Sequence, residues 1–115
     1  RDAFARIVLP VIDQYGPDWL LVSAGYDGHA DDPLGGMMLH ASDYEAMSAS
    51  LGVAMDHTNT VFLLEGGYNL NAIAESVTAT INGFALGSVA IERSEDGDPW
   101  VDNAVAVDSL FWDLD

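Results

Sequence analysis

Two short glycine-rich stretches carry the side chains best suited to chemistry. One runs Ser23-Ala24-Gly25-Tyr26-Asp27-Gly28-His29 and continues through Asp31-Asp32-Pro33-Leu34-Gly35-Gly36. The other is Leu64-Glu65-Gly66-Gly67-Tyr68-Asn69-Leu70. Each follows an apolar run. A carboxylate such as Asp27 in that position suits a divalent metal or acts as a phosphoryl acceptor. A tyrosine after two glycines sits on an open turn, and its phenol can donate a hydrogen bond to a developing oxyanion. Plainer readings stand beside these: Asp27 as a turn-forming residue, Tyr68 as a partly buried aromatic at a helix start. Asp31 and Asp32 read as shaping the turn before Pro33, and His29 as structuring the loop. His40 and His57 read as surface or helix-end residues.

The elements that must position these loops are legible from periodicity. Phe4, Ile7, Val8, Val11, Ile12 and Tyr15 fall at helical intervals, with Pro10 expected to kink or delay the helix and Gly16-Pro17 to stop it. Trp19–Ser23 is a nearly continuous apolar run, expected as a strand buried on both faces of a parallel sheet. Ala24 to His40 is a long loop. Ser42 or Asp43 can cap a helix over Tyr44–Met55, with Glu45 completing a capping box from Ser42 and with Tyr44, Met47, Leu51 and Met55 on one stripe. Thr60–Leu64 is a second buried strand. A third helix spans Leu70–Leu86, with Ile73, Val77, Ile81 and Phe84 facing inward and Gly87 closing it.

The order helix–strand–helix–strand–helix predicts an α/β fold with a parallel sheet. Two strands make a poor sheet, so the pattern looks like the end of a larger α/β domain. In such sheets ligands bind beyond the carboxyl ends of the strands, where both loops lie. If the strands are neighbours, Asp27 and Tyr68 face one cleft. Residues 88–115 differ in character: eight acids oppose one arginine, Ser94–Pro99 reads as a linker, and Trp100, Val101, Val105, Val107, Leu110, Phe111 and Trp112 are apolar enough to lie against a body.

Composition narrows the function classes. The 115 residues suit one small domain, and half of them are apolar, enough for a packed core. With no cysteine, disulfides, Cys-ligated clusters and thiol nucleophiles are excluded. Nineteen acids oppose three arginines and no lysine, a net charge of −16. That charge argues against a nucleic-acid partner. It fits either a surface adapted to high salt or attraction of a cationic substrate. No apolar run reaches the roughly 18 residues of a membrane helix, and no signal-peptide pattern opens the chain. The expected compartment is the cytoplasm. A receiver-like phosphoacceptor domain is poorly supported, because that chemistry uses a lysine.

The two glycine-rich motifs, in this order and separated by a helix and a strand, resemble the C-terminal part of the zinc-dependent histone deacetylase family. The wording is closer to the branch of class II deacetylases and acetylpolyamine amidohydrolases than to class I. The resemblance covers about residues 4 to 87 and leaves the acidic tail, 88–115, outside. It implies an arginase/deacetylase-like parallel-sheet domain. It also implies that Asp27 ligates zinc, that Tyr68 polarises the acetyl carbonyl and stabilises the oxyanion, and that Leu34, Gly66 and Gly67 border the substrate tunnel. The family's other zinc ligands, from an Asp-x-His motif, and its His-His pair lie upstream of the matched region; His29, two residues after Asp27, has ligand-like spacing but is read as structuring the loop. The expectation is therefore one segment of an enzyme acting on an N-acetylated amine, acetyl-lysine or an acetylpolyamine, inactive alone and holding no stoichiometric zinc. Its partner is the missing N-terminal part of the domain or further copies of itself. The alternative is a non-catalytic, self-associating α/β fragment.

Overall fold

The computed structural model describes residues 1–87, 91 and 97–114. The chain opens with a π-helical turn, Phe4–Val8, which runs into helix α1, Leu9–Tyr15. Pro10 is the second residue of α1, but α1 continues the preceding turn without a break, so its missing N–H leaves a carbonyl of that turn without an intrahelical donor. In place of the kink or late start expected at Pro10, the helix changes from π- to α-helical turns just before it. Gly16 ends α1 in the left-handed region (φ 60), its N–H bonded to Ile12, as the Gly-Pro stop requires.

Strand β1 is Leu20–Ala24 and strand β2 is Thr60–Leu64. They are parallel neighbours, with Leu20 opposite Thr60 and Ala24 opposite Leu64. Between them runs helix α2, Ala41–Ala54; helix α3, Leu70–Leu86, follows β2. The sheet is not buried on both faces. Leu20, Val22, Ala24, Thr60 and Phe62 are half-buried on the side of α2 and α3, where Phe62 meets Phe84 edge-on at 5.4 Å. The alternate residues Leu21, Val61 and Leu63 are exposed, Leu21 by 67%. Side chains alternate along a strand, and no described element covers the second face.

Helix α2 starts earlier than expected. His40 is its N-cap residue, and Asp43 reaches back to accept the His40 N–H at 2.8 Å; the Ser42–Glu45 pairing is not the one used. The stripe Tyr44, Leu51 and Met55 is buried, with Met47 half-buried. Helix α3 has the expected bounds, and of its expected inward residues Ile73, Val77 and Phe84 are half-buried. Its buried residues are Ala72, Ser76, Ala79, Thr80 and Gly83, whereas Ile81 is exposed. The reason is the tight seam against Ser48, Ala49 and Gly52 of α2, where small residues let two backbones approach. A β-carbon on Gly83 would overlap the Glu45 carbonyl and Ser48 Oγ. Gly87 closes α3 in an extended conformation, and its missing side chain leaves room for Ala49.

Beyond residue 97, Asp98 caps helix α4, Pro99–Asp108, by accepting the Trp100 N–H at 2.9 Å. Val101, Val105 and Leu114 form a small core with Ile7, Val11 and Trp112. Arg6 ties the segment down, pairing with Asp102 at 2.7 Å and Asp2 at 3.1 Å. Of the apolar residues expected to pack, Trp100, Val107, Leu110 and Phe111 stay exposed, because one face of a short helix is all that meets α1. The Ser94–Asp96 part of the expected linker lies outside the described residues. Among the described residues no helix is long and apolar enough to cross a membrane.

Candidate functional site

Parallel pairing brings the exits of β1 and β2 to one end of the sheet. Tyr26 anchors the first exit. It is buried, packs edge-on against Tyr44 at 5.0 Å, and donates its hydroxyl proton to Thr80 Oγ1 at 3.1 Å. Its N–H bonds to the Gly66 carbonyl at 2.8 Å, so the first exit is stitched directly to the second. Asp27, the next residue, is exposed, and its carboxylate accepts no hydrogen bond and joins no ion pair among the described residues.

That carboxylate lies against the second exit. A β-carbon on Gly66 would stand 2.7 Å from Asp27 Oδ1 and 2.9 Å from Oδ2. Any side chain there would displace the carboxylate. Gly67 has φ 128, a region that L side chains rarely adopt, and it abuts Ile73. These two glycines lead into Tyr68, which is 60% exposed, with a phenol that has no hydrogen-bond partner among the described residues. Asn69 then caps α3, its side chain accepting from the N–H groups of Asn71 and Ala72.

The two loops are also joined by Asp32, which is buried. Its Oδ1 accepts the N–H groups of Leu34 at 2.9 Å and Gly35 at 3.0 Å, so the turn it shapes runs past Pro33 and not only before it as expected. Its Oδ2 accepts the N–H of Tyr68 at 2.7 Å, a contact the sequence reading did not contain. Beside it, Asn69 Nδ2 donates to the Asp31 carbonyl at 3.0 Å. Burial pushes the Asp32 pKa up, but the N–H groups of Leu34, Tyr68, Gly35 and Asn69 outweigh it and hold the carboxyl below the ordinary carboxylate value. Leu34 itself is exposed beside this turn.

The contacts of the histidines are with other residues than Asp27. His29 is buried, its Nδ1 accepts the Asp31 N–H at 3.1 Å, and its ring meets His40 edge-on at 5.8 Å. His57 is exposed just after α2, where its Nδ1–H donates to the Phe84 carbonyl at 2.6 Å. Among the described residues no group of three or more His, Asp or Glu side chains is gathered as a metal cage. A catalytic zinc takes three protein ligands. Asp27, with free oxygens on an exposed edge, fits one such ligand; the described residues do not furnish a whole set.

The structure therefore brings Asp27, Gly66, Gly67, Tyr68 and Leu34 to one end of the sheet and leaves His40 and His57 in structural positions. Sequence reasoning missed Tyr26 as an anchor and Asp32 as a bridge between loops. Asn69, directly before a helical run, carried a readable capping signal; Asp32 carried only a turn signal.

The chain is similar to known proteins along most of its length. The profile of the histone deacetylase domain matches residues 1–84. A relative from Oryza sativa subsp. japonica, histone deacetylase 10, chloroplastic, is 38% identical over 87 residues, covering 73% of this chain and 20% of that protein. The crystal structure of the HDA15 HD domain superposes with a TM-score of 0.82 at 33% identity, covering 96% of this chain and 30% of that one. The histone deacetylase Clr3 superposes with a TM-score of 0.79 at 28% identity, covering 97% of this chain and 19% of the other. The chain thus spans a fifth to under a third of the length of these proteins. With its mixed α/β architecture of arginase/deacetylase type and its match along most of its length, the chain belongs to the histone deacetylase domain family.

Proposed function

We propose that this chain is the C-terminal segment of a zinc-dependent deacetylase domain related to the class II and acetylpolyamine amidohydrolase branch. In this reading residues 1–87 belong to the catalytic α/β domain and 88–115 form an acidic tail. The substrate is an N-acetylated amine, acetyl-lysine or an acetylpolyamine, with no role for nucleic acid. The domain works in the cytoplasm.

The observation that carries the reading is the Asp27 carboxylate seated over Gly66, two residues before Tyr68 and without a hydrogen-bond donor among the described residues. Asp27 would be one zinc ligand, and the remaining ligands and the His-His pair would come from the rest of the domain. When bound, zinc supplies Lewis acidity and lowers the pKa of a water towards about 7. Tyr68 donates its phenolic proton in a hydrogen bond to the oxygen that gains charge as the amide carbon becomes tetrahedral. Gly66 and Gly67 leave the space beside Asp27 open. Leu34 presents an apolar wall to the methylene chain of the substrate. The segment alone holds too little of the site for turnover.

A second reading draws on the exposed outer sheet face, with Leu21 67% and Leu63 49% exposed. A fragment with such a face would self-associate without catalysis. Zinc analysis and an acetyl-lysine peptide assay separate the two. The complete protein is expected to hold zinc and turn over, and Asp27→Ala to lose the metal. Full zinc occupancy in Asp27→Ala would remove Asp27 from the ligand set, and a clean monomer of this chain on sedimentation would remove the second reading.

A further inference from the structure

Tyr68 is held in an unusual way for a residue whose phenol must be aimed. The ring is mostly exposed and the hydroxyl has no partner among the described residues, so nothing at the tip of the side chain sets its direction. What is held is the backbone. Asp32 Oδ2 takes the Tyr68 N–H at 2.7 Å, and the Asn69 amide spans to the Asp31 carbonyl at 3.0 Å. The same Asp32 carboxylate holds the N–H groups of Leu34 and Gly35 through its other oxygen. Asp32 forms no ion pair with the arginines that the ion pairs engage, Arg1 and Arg6, which meet Asp43, Asp2 and Asp102. Its buried charge is met by converging amide dipoles.

We propose that Asp32 is a positioning residue that sets the distance between Leu34 and Tyr68, and so aims the Tyr68 phenol. The proposal rests on the reading of Tyr68 as oxyanion donor and of Leu34 as channel wall. A carboxylate is required because three N–H donors meet two acceptor oxygens. An asparagine would turn its NH₂ group toward at least one of those donors and break either the turn or the cross-loop bond. A shift of about 1 Å in a reacting group can cost about 10²-fold in rate.

The test is a double-mutant cycle in the complete protein, using Asp32→Asn, Tyr68→Phe and the pair, with kcat, KM and zinc content measured on an acetyl-lysine peptide. Tyr68→Phe should lower kcat by about 10²–10³-fold. Asp32→Asn should lower kcat by at least about tenfold with zinc retained, and should add nothing in the Tyr68→Phe background. Losses that multiply in full, or an unchanged kcat in Asp32→Asn, overturn the positioning role. Unchanged turnover in Tyr68→Phe instead overturns the underlying oxyanion reading, whatever Asp32 does. Should Asp32→Asn fail to fold, Asn69→Ser keeps a capping oxygen for α3 and removes the bond to Asp31 without adding a charge. It should give a smaller loss of kcat that likewise vanishes in the Tyr68→Phe background, and its persistence there would count against the clasp.

Discussion

Asp32 and Tyr68, 36 residues apart in the chain, are joined by a 2.7 Å bond from the tyrosine N–H to a buried carboxylate oxygen. It is one of the bonds that make the two strand exits a single rigid edge. Burial opposes ionisation of Asp32, and the backbone N–H donors more than offset it, so its folded pKa lies below its unfolded one. A depressed carboxyl contributes stability that is present above the unfolded pKa and is lost as pH falls through the folded value. Urea midpoints measured from neutral pH to below about 4 should therefore fall less steeply at the acid end in Asp32→Asn than in the parent chain. Equal acid slopes would show that Asp32 is no better solvated by its amides than by water.

Gly66→Ala tests the seat of Asp27. The new β-carbon would lie 2.7 to 2.9 Å from the carboxylate atoms, so Asp27 must move. In the complete protein zinc affinity should drop about 10- to 100-fold, as for loss of a supporting partner of a metal ligand. Gly36→Ala, with nothing within 4 Å, is the matched control and should leave affinity unchanged. Competition with a chelator reads both, and equal affinities would separate Asp27 from Gly66.

Tyr44 carries a buried hydroxyl with no hydrogen-bond partner among the described residues. Burial, with the charge of Asp27 adding to it, pushes its phenol up to about 12. A raised pKa gives stability that is full below the unfolded value, about 10, and is lost as pH rises through the folded one. Tyr44→Phe should raise stability at neutral pH by about 1 kcal/mol, because an unsatisfied buried hydroxyl is removed. It should also flatten the loss between pH 10 and 12. Alkaline urea titration checks both, and a destabilised Tyr44→Phe would mean that the hydroxyl is satisfied.

Gly83→Ala tests the helix seam. In an exposed helix the change would help by roughly 1 kcal/mol. Here the added carbon overlaps the Glu45 carbonyl and Ser48 Oγ, so forced separation of α2 and α3 should cost about 1–3 kcal/mol net. Urea denaturation followed by circular dichroism measures it, and a gain in stability would show that the helices are free to part.

Much of this was written locally in the chain. The bounds of the third helix, the stop at Gly16, the parallel strand pair and the two loops at one end all follow from periodicity and turn residues. Of the expected stripe on α3 only Ile81 is exposed, and the most buried side was not foreseen because a stripe of Ile73, Val77 and Phe84 outweighs one of alanine, serine and glycine in any reading by hydropathy. Only the nearness of α2 gives small residues their value. The start of α2 moved because Ser42, Asp43 and His40 can each serve at a helix start, and the bond from the His40 N–H to Asp43 decides among them.

By itself, the sequence determined which residue types stand at the strand exits, since alternation, glycine spacing and capping are properties of neighbours along the chain. Tertiary structure alone decided that Asp27 rests on Gly66, that Asp32 holds Tyr68, and that one face of the sheet stays open. Those are distances between residues about 40 positions apart. They are set by parallel pairing and helix packing, which no local pattern encodes.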